Sequence, residues 1–306
     1  MSTFSTFCLW DSSSAILEAF KYAGEMALID PHTHTNQSDG TDTPRELMQN
    51  AAKAGMDIIG LTDHDVTHGW DEATSAVPET GVALLRGMEI SCSWNGITVH
   101  LLSYLHDPTN EALLKAARKT IDSRENRAQI MVERLSADYP ITWEDVLNFA
   151  PEDGAIGRPH IADALIAAGS FENRNQTFEW ALHPRGPYYY HHWAQDPVVA
   201  VQEVRKAGGV PIIAHPRARK RQRLLPISIL MDMIDAGLAG IEANHPDHVE
   251  KDAKFLREIA LERALLVTGS SDYHGKGKPN WLGQNVTPVE VVQEIEHQGE
   301  LDIVRP

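Results

Sequence analysis

Histidines and carboxylates set the chemistry this chain can do. His32 and His34 stand two apart in PHTHT, His64 lies in TDHD, Glu89 in GMEIS, His100 in VHLLSY, His215 in IIAHP, His245 in EANHPDH, and Asp272 and His274 in SSDYHG. Imidazole suits zinc, iron and manganese, and carboxylates bridge hard divalent ions. Cys8 and Cys92 are the only cysteines, which excludes a closed thiolate zinc site. The candidates outnumber the ligands of one ion, so several divalent ions are expected. Paired ions about 3.5–4 Å apart clamp the attacking and leaving oxygens in hydrolysis at phosphorus, with a bridging water of lowered pKa as nucleophile. A lone histidine at a strand end is usually structural, and His68, His106, His183, His248 and His297 are assigned that role. The specific signal is the set, in which each member closes an apolar run.

Those runs imply the elements that position the set. Ala27–Asp30 is a short strand. Thr43 caps the next helix, with Pro44 in its first turn and Glu46 three residues on, and Gly55 ends it. Asp57–Thr62, Val82–Ile90 and Ile97–Leu102 read as strands, the last two joined at Asn95-Gly96. From Asn110 to about Leu135 a charged amphipathic helix begins a mainly helical stretch. Strands then return at Val210–Ala214, Gly240–Ala243 and Leu265–Gly269, with helices at Pro197–Ala207, Ile227–Ala236, Lys251–Arg263 and Pro288–His297. Repeated βα units predict an α/β barrel, whose strand C-terminal ends share one face. The expected organisation is an N-terminal extension (1–26), a barrel domain (27–106 and 196–306) and a helical insertion (107–195).

The formal net charge of −16 over 306 residues argues against general binding of nucleic acid. Three bound divalent ions would add about +6 locally, and an anionic substrate would go there. No apolar stretch approaches the ~18 residues of a membrane span, and the N-terminus lacks a signal-peptide pattern. A reducing cytoplasm suits two cysteines. Two features next to the candidates have a bland and a functional reading. The run Arg217, Arg219, Lys220, Arg221 and Arg223 reads first as solvated surface, and second as a clamp for further phosphates or RNA. Tyr188, Tyr189, Tyr190, His191, His192 and Trp193 read first as a hinge packing the insertion on the barrel, and second as a base-stacking patch. Lys276 and Lys278 add positive charge near the site.

The stretches DPHTHTNQSDGTDTP, GLTDHD, GMEIS, VHLLSY, IIAHP and GSSDYHG occur in an order that resembles the polymerase-and-histidinol-phosphatase (PHP) family, over residues 28–105 and 195–285. The resemblance implies a distorted (β/α)7, TIM-like barrel holding a trinuclear metal centre. The implied ligands are His32, His34, Asp39, His64, Glu89, His100, His215, Asp272 and His274, with Glu89 bridging. Gly157-Arg158-Pro159-His160-Ile161-Ala162 resembles a motif of the stand-alone phosphoesterases of the family, which act on nucleotides and small phosphorylated compounds. It implies that Arg158 and His160 hold the substrate phosphate, as a forked guanidinium can. His245, in EANHPDH, resembles a third phosphate-side residue of that subgroup, which implies that it helps hold the phosphate and protonates the leaving oxygen. A bland reading has RPHIA merely starting a helix. Residues 1–26 match nothing in the family pattern.

The expected activity is hydrolysis of a phosphate monoester, by resemblance that of a nucleotide such as a nucleoside 3',5'-bisphosphate, with two or three manganese, iron or zinc ions. Asp272 belongs to the catalytic set with Arg158 and His245. Asp30, Asp63 and Asp65 are expected to orient imidazoles. The rivals are a 5'-3' exonuclease on short single-stranded RNA or DNA, a histidinol-phosphate-like small-metabolite phosphatase, and a non-catalytic metal-binding module. The full ligand set argues against the last. No membrane or protein partner is implied.

Overall fold

In a computed structural model, residues 27–150, 156–191, 193–221 and 223–306 are described. The expected extension 1–26 lies outside them. Seven strands form one sheet in chain order: β1 (Ile29–Thr33), β2 (Ile58–Leu61), β3 (Ala83–Trp94), β4 (Ile97–Tyr104), β5 (Val210–Ala214), β6 (Gly240–Asn244) and β7 (Leu266–Gly269). The ends of the sheet nearly meet. Thr33 bridges Tyr273 in parallel, and the His34 amide donates to the Tyr273 carbonyl at 2.8 Å. The fold is thus a distorted seven-stranded α/β barrel.

Strands β1–β3 and β5–β7 run parallel, whereas β4 is antiparallel to both neighbours. An all-parallel rim is therefore corrected at β4. Asn95 and Gly96 both adopt the left-handed region (φ 46° and 70°), which a tight hairpin needs, so β4 starts from the rim. His100 consequently sits early in its strand, opposite Ser91 and Ala214. β3 also continues past Ile90, and Glu89 lies in its middle rather than near its end.

The helices cover the barrel. α1 (Pro44–Lys53) has the expected capping box: the Thr43 side chain accepts from the Glu46 amide, and the Glu46 side chain accepts from the Thr43 amide. Such a cap is worth about 1 kcal/mol. It directs Leu47, Met48 and Ala51 onto Ile59 and Leu61 of β2. α2 (Trp70–Thr80) was not anticipated. Apart from Trp70 at its start, its buried residues Ala73, Ala76 and Val77 are small and Pro78 lies inside it, so the sequence shows little helical patterning there. After β4 come α3 (Glu111–Leu135), α4 (Trp143–Leu147), α5 (Arg158–Ala167) and α6 (Arg174–Trp180). Leu113 of α3 joins the barrel core, while Met131 and Leu135 join a separate core with Ile141, Val146, Ile161 and Leu165. α7 (Pro197–Lys206), α8 (Ile227–Asp235), α9 (Glu250–Glu262) and α10 (Val289–Gln298) complete the alternation. Among the described residues, no helix is long and apolar enough to cross a membrane.

Candidate metal centre

The seven strands deliver their imidazoles and carboxylates to one buried cluster. Glu89 lies at its middle. One carboxylate oxygen, Oε2, faces His34 Nε2 at 3.0 Å and His32 Nε2 and His64 Nδ1 at 3.3 Å. The other, Oε1, faces His100 Nδ1 at 2.8 Å and His215 Nε2 at 3.0 Å. Asp272 Oδ1 lies 3.4 Å from His34 Nε2 and 3.6 Å from His32 Nε2. Four triads that could hold an ion share members: His32–Glu89–His215, His32–His34–Asp272, His34–Asp39–His64 and His64–Glu89–His100. His274 joins through Asp39, 3.1 Å away. All nine residues expected from the sequence therefore converge.

The donor set fits metal ions on hydrogen-bonding grounds. His274 Nδ1 lies 2.9 Å from the Asp272 carbonyl, which can only accept, so Nδ1 carries the proton. Burial, with Lys278 and His34 nearby, pushes this ring down to about 4, so it is neutral at pH 7. Its Nε2 is then a bare lone pair facing Asp39 Oδ1, and neither atom has another hydrogen-bond partner. Two buried acceptors in contact call for a cation between them. His64 Nδ1, His100 Nδ1 and His215 Nδ1 are further buried nitrogens without a hydrogen bond. Burial lowers His32 and His34, but Glu242 and Glu89 outweigh it at His32, holding that ring well above its usual value. At His34, Asp272 and Glu89 outweigh it and push the ring up to about 9. Charging these rings reflects the same demand for positive charge.

The backbone is strained at the same place. His215 (φ 29°), Asp272 (φ 53°) and Asp65 (φ 57°) are left-handed without being glycine. Each costs on the order of 1 kcal/mol, and such residues cluster at functional sites.

The orienting carboxylate is Glu242, which the sequence reading missed. It is wholly buried in β6, accepts from His32 Nδ1 at 2.9 Å and from the His215 amide at 2.7 Å, and bonds Ser270 Oγ. A charged residue inside an otherwise apolar strand was the available signal. Asp30, Asp63 and Asp65, expected to orient imidazoles, order loops instead. Asp63 takes the Thr35 amide and hydroxyl and the Ser38 hydroxyl, fixing the turn that carries Asp39. Asp30 takes the Ser271 and Gly283 amides, and Asp65 takes the Ser91 amide and hydroxyl and Arg124 Nη1.

The remaining candidates separate. His245 lies in the cluster: the Asp247 amide donates to its Nδ1 at 3.0 Å, so the ring proton sits on Nε2, 3.4 Å from Asp272 Oδ2. His160 uses both nitrogens locally, accepting from the Gly157 amide and donating to the Ser38 carbonyl. It ties the start of α5 to the Asp39 turn, and RPHIA does begin a helix. Arg158 donates to the Leu182 carbonyl at 3.1 Å and stands over Phe178 and Tyr189, all outside the cluster. The arginines of the basic run are partnered: Arg217 and Arg219 pair with Asp252, Arg223 bonds the Asn95 carbonyl, and Arg221 reaches Asp272, while Lys220 is exposed. His106 and His248 are structural, held by Ser103 and the Ala243 carbonyl. Lys119 stands 3.7 Å over Trp193, and the Trp193 amide donates to Ser123, so this end of the aromatic segment packs on α3; His192 lies outside the described residues.

Residues 30–135 match the PHP domain model. A 3',5'-nucleoside bisphosphate phosphatase of Chromobacterium violaceum is 33% identical over 257 residues, covering 83% of this chain and 89% of its own. The chain belongs to the PHP family of metal-dependent phosphoesterases. A 5'-3' exoribonuclease of Haemophilus influenzae is also similar to this PHP protein, at 30% identity over 86% of the chain and 96% of its own. A crystal structure from Bifidobacterium adolescentis, provisionally assigned as a metal-dependent phosphoesterase, superposes with a TM-score of 0.87 at 44% identity, over 89% of this chain and 96% of that one. The PHP barrel and its phosphoester chemistry thus agree with the site's geometry.

Proposed function

We propose that this PHP protein hydrolyses a phosphate monoester of a nucleotide such as a nucleoside 3',5'-bisphosphate, with two or three divalent ions (manganese, iron or zinc) held by His32, His34, Asp39, His64, Glu89, His100, His215, Asp272 and His274. The observation that carries the reading is His274 Nε2 against Asp39 Oδ1, two buried acceptors 3.1 Å apart in a chain of shared triads. Ions held there would supply Lewis-acid polarisation of phosphoryl oxygens and a water of lowered pKa. The chain's own residues do the rest. Glu242 fixes the His32 tautomer so that Nε2 faces the centre. Asp63 and His160 hold the Asp39 turn from two sides. His245 presents a proton at Nε2 beside Asp272, where a leaving alkoxide can take it. Arg158 would reach substrate only by leaving the Leu182 carbonyl, and His160 positions the loop rather than the phosphate.

The segment 107–195 is read as an insertion over the barrel mouth, because its own apolar core is distinct from the barrel's. A nucleotide is favoured over a polymer because Asp252 holds Arg217 and Arg219, which withdraws two cations of the run from binding a backbone. Product analysis of the manganese-loaded protein tests the reading. Free phosphate from a nucleoside 3',5'-bisphosphate, with a short 5'-phosphorylated RNA left intact, is expected. Mononucleotides released from the RNA would assign the exonuclease activity instead.

A further inference from the structure

Asp272 has two differently occupied faces. Its Oδ1 lies against His32 and His34 of the metal cluster. Its Oδ2 receives Arg221 Nη1 at 2.6 Å and Lys278 Nζ at 2.8 Å, with His245 Nε2 at 3.4 Å. These three donors come from the loops after β5, β6 and β7. Arg221 also pairs through Nε with Asp247.

One buried carboxylate oxygen does not need two full cations. A divalent ion on its other oxygen would place three positive centres about a single negative charge. Asp247 offsets part of the Arg221 charge, and an anion entering beside Asp272 would offset the rest. The Arg221 and Lys278 side chains keep 30% and 26% of their surface exposed while Asp272 keeps 1%, so both side chains are partly open to solvent beside a buried carboxylate.

We infer that Arg221 and Lys278 form the clamp for the non-bridging oxygens of the scissile phosphate dianion, the task that the sequence pattern gave to Arg158. The assignment rests on the phosphoesterase reading above. The guanidinium supplies directed N–H donors and the ammonium a point charge, a pairing suited to tetrahedral phosphate. His245 Nε2 faces the same Asp272 oxygen at 3.4 Å, where its proton would meet the ester oxygen. Arg221 is thereby the one functional member of a basic run whose other arginines are occupied elsewhere.

The test uses inorganic phosphate as the probe and the manganese-loaded full chain. Metal content by elemental analysis and phosphate affinity by calorimetry are measured for the wild type, Arg221→Gln, Lys278→Met and Arg221→Lys, with steady-state kinetics on a nucleoside 3',5'-bisphosphate alongside. Arg221→Gln and Lys278→Met should each keep the wild-type metal content and weaken phosphate binding roughly 10- to 100-fold, the range for a lost charge-assisted hydrogen bond. Arg221→Lys should recover part of the loss. Unchanged phosphate affinity per loaded site in both variants, or metal loss accounting for the whole effect, would overturn the clamp and leave both residues as supports for Asp272. A wild type that binds phosphate but hydrolyses no ester would sink the phosphatase reading and keep the clamp. A wild type that binds no phosphate would end the clamp itself.

Discussion

Replacing Glu242 by glutamine isolates the carboxylate that orients the cluster. In the wild type its two oxygens serve three donors: His32 Nδ1 at 2.9 Å, the His215 amide at 2.7 Å and the Ser270 hydroxyl. Glutamine keeps the shape but has one accepting oxygen and an NH2 group that cannot accept. Whichever way the amide turns, His32 or His215 faces a donor. Burial pushes Glu242 up, but His32 outweighs it and holds the acid well below its usual range, so the lost interaction is charge-assisted. Removing an orienting partner of a metal-bound histidine costs about 10- to 100-fold in metal affinity, or about 1.4–2.7 kcal/mol. Competition with a chromophoric chelator measures that affinity directly, and far-UV circular dichroism checks that the fold persists. Manganese affinity within twofold of wild type, in a folded protein, would refute the role given to Glu242.

Three further outcomes are expected. Asp272→Ala removes a member of the His32–His34–Asp272 triad, so phosphate release from every phosphoester should fall to background and metal content should drop; retained turnover with bound metal contradicts the assignment. His106 is buried and burial holds it down at about 4, against 6.5 when unfolded, so its proton binds the unfolded chain better. Its contribution is present above pH 6.5 and is lost as pH falls toward 4, by up to about 3 kcal/mol. Urea midpoints at pH 7.5 and 4.5 should therefore differ less in His106→Gln than in wild type. A Cβ at Gly60 would meet the Pro31 carbonyl oxygen at 1.9 Å, backbone against backbone between β1 and β2. Gly60→Ala should cost about 3 kcal/mol or more in chemical unfolding, and a loss under 1 kcal/mol would mean that β1, with His32 and His34, shifts freely.

The legible parts of the molecule are those where one residue type breaks a regular pattern at an element's end. His215 after Val210–Ala214, or His32 and His34 at the end of β1, announce themselves because an apolar run stops at a ligand-type side chain. The antiparallel β4 was implied by Asn95-Gly96, but barrel logic obscured its effect on His100. Glu242 is not legible in the strand expected at Gly240–Ala243, because nothing local says that its carboxylate meets His32, 210 positions away. Arg221 and Arg219 look alike in HPRARKR; only the fold sends one to Asp272 and the other to Asp252. At Arg158 the motif suggests a phosphate ligand, and only the fold shows the guanidinium resting on the Leu182 carbonyl and two aromatic rings.

The central claim is that the buried imidazoles and carboxylates hold catalytic ions. Crystals of the manganese-loaded protein, with anomalous differences collected above and below the manganese edge, test it most directly. Two or three peaks are expected within ligand distance of Glu89, each also reached by members of the shared triads, with neighbouring peaks about 3.5–4 Å apart. A fully loaded crystal with no peak among His32, His34, Glu89 and Asp272 would contradict the account.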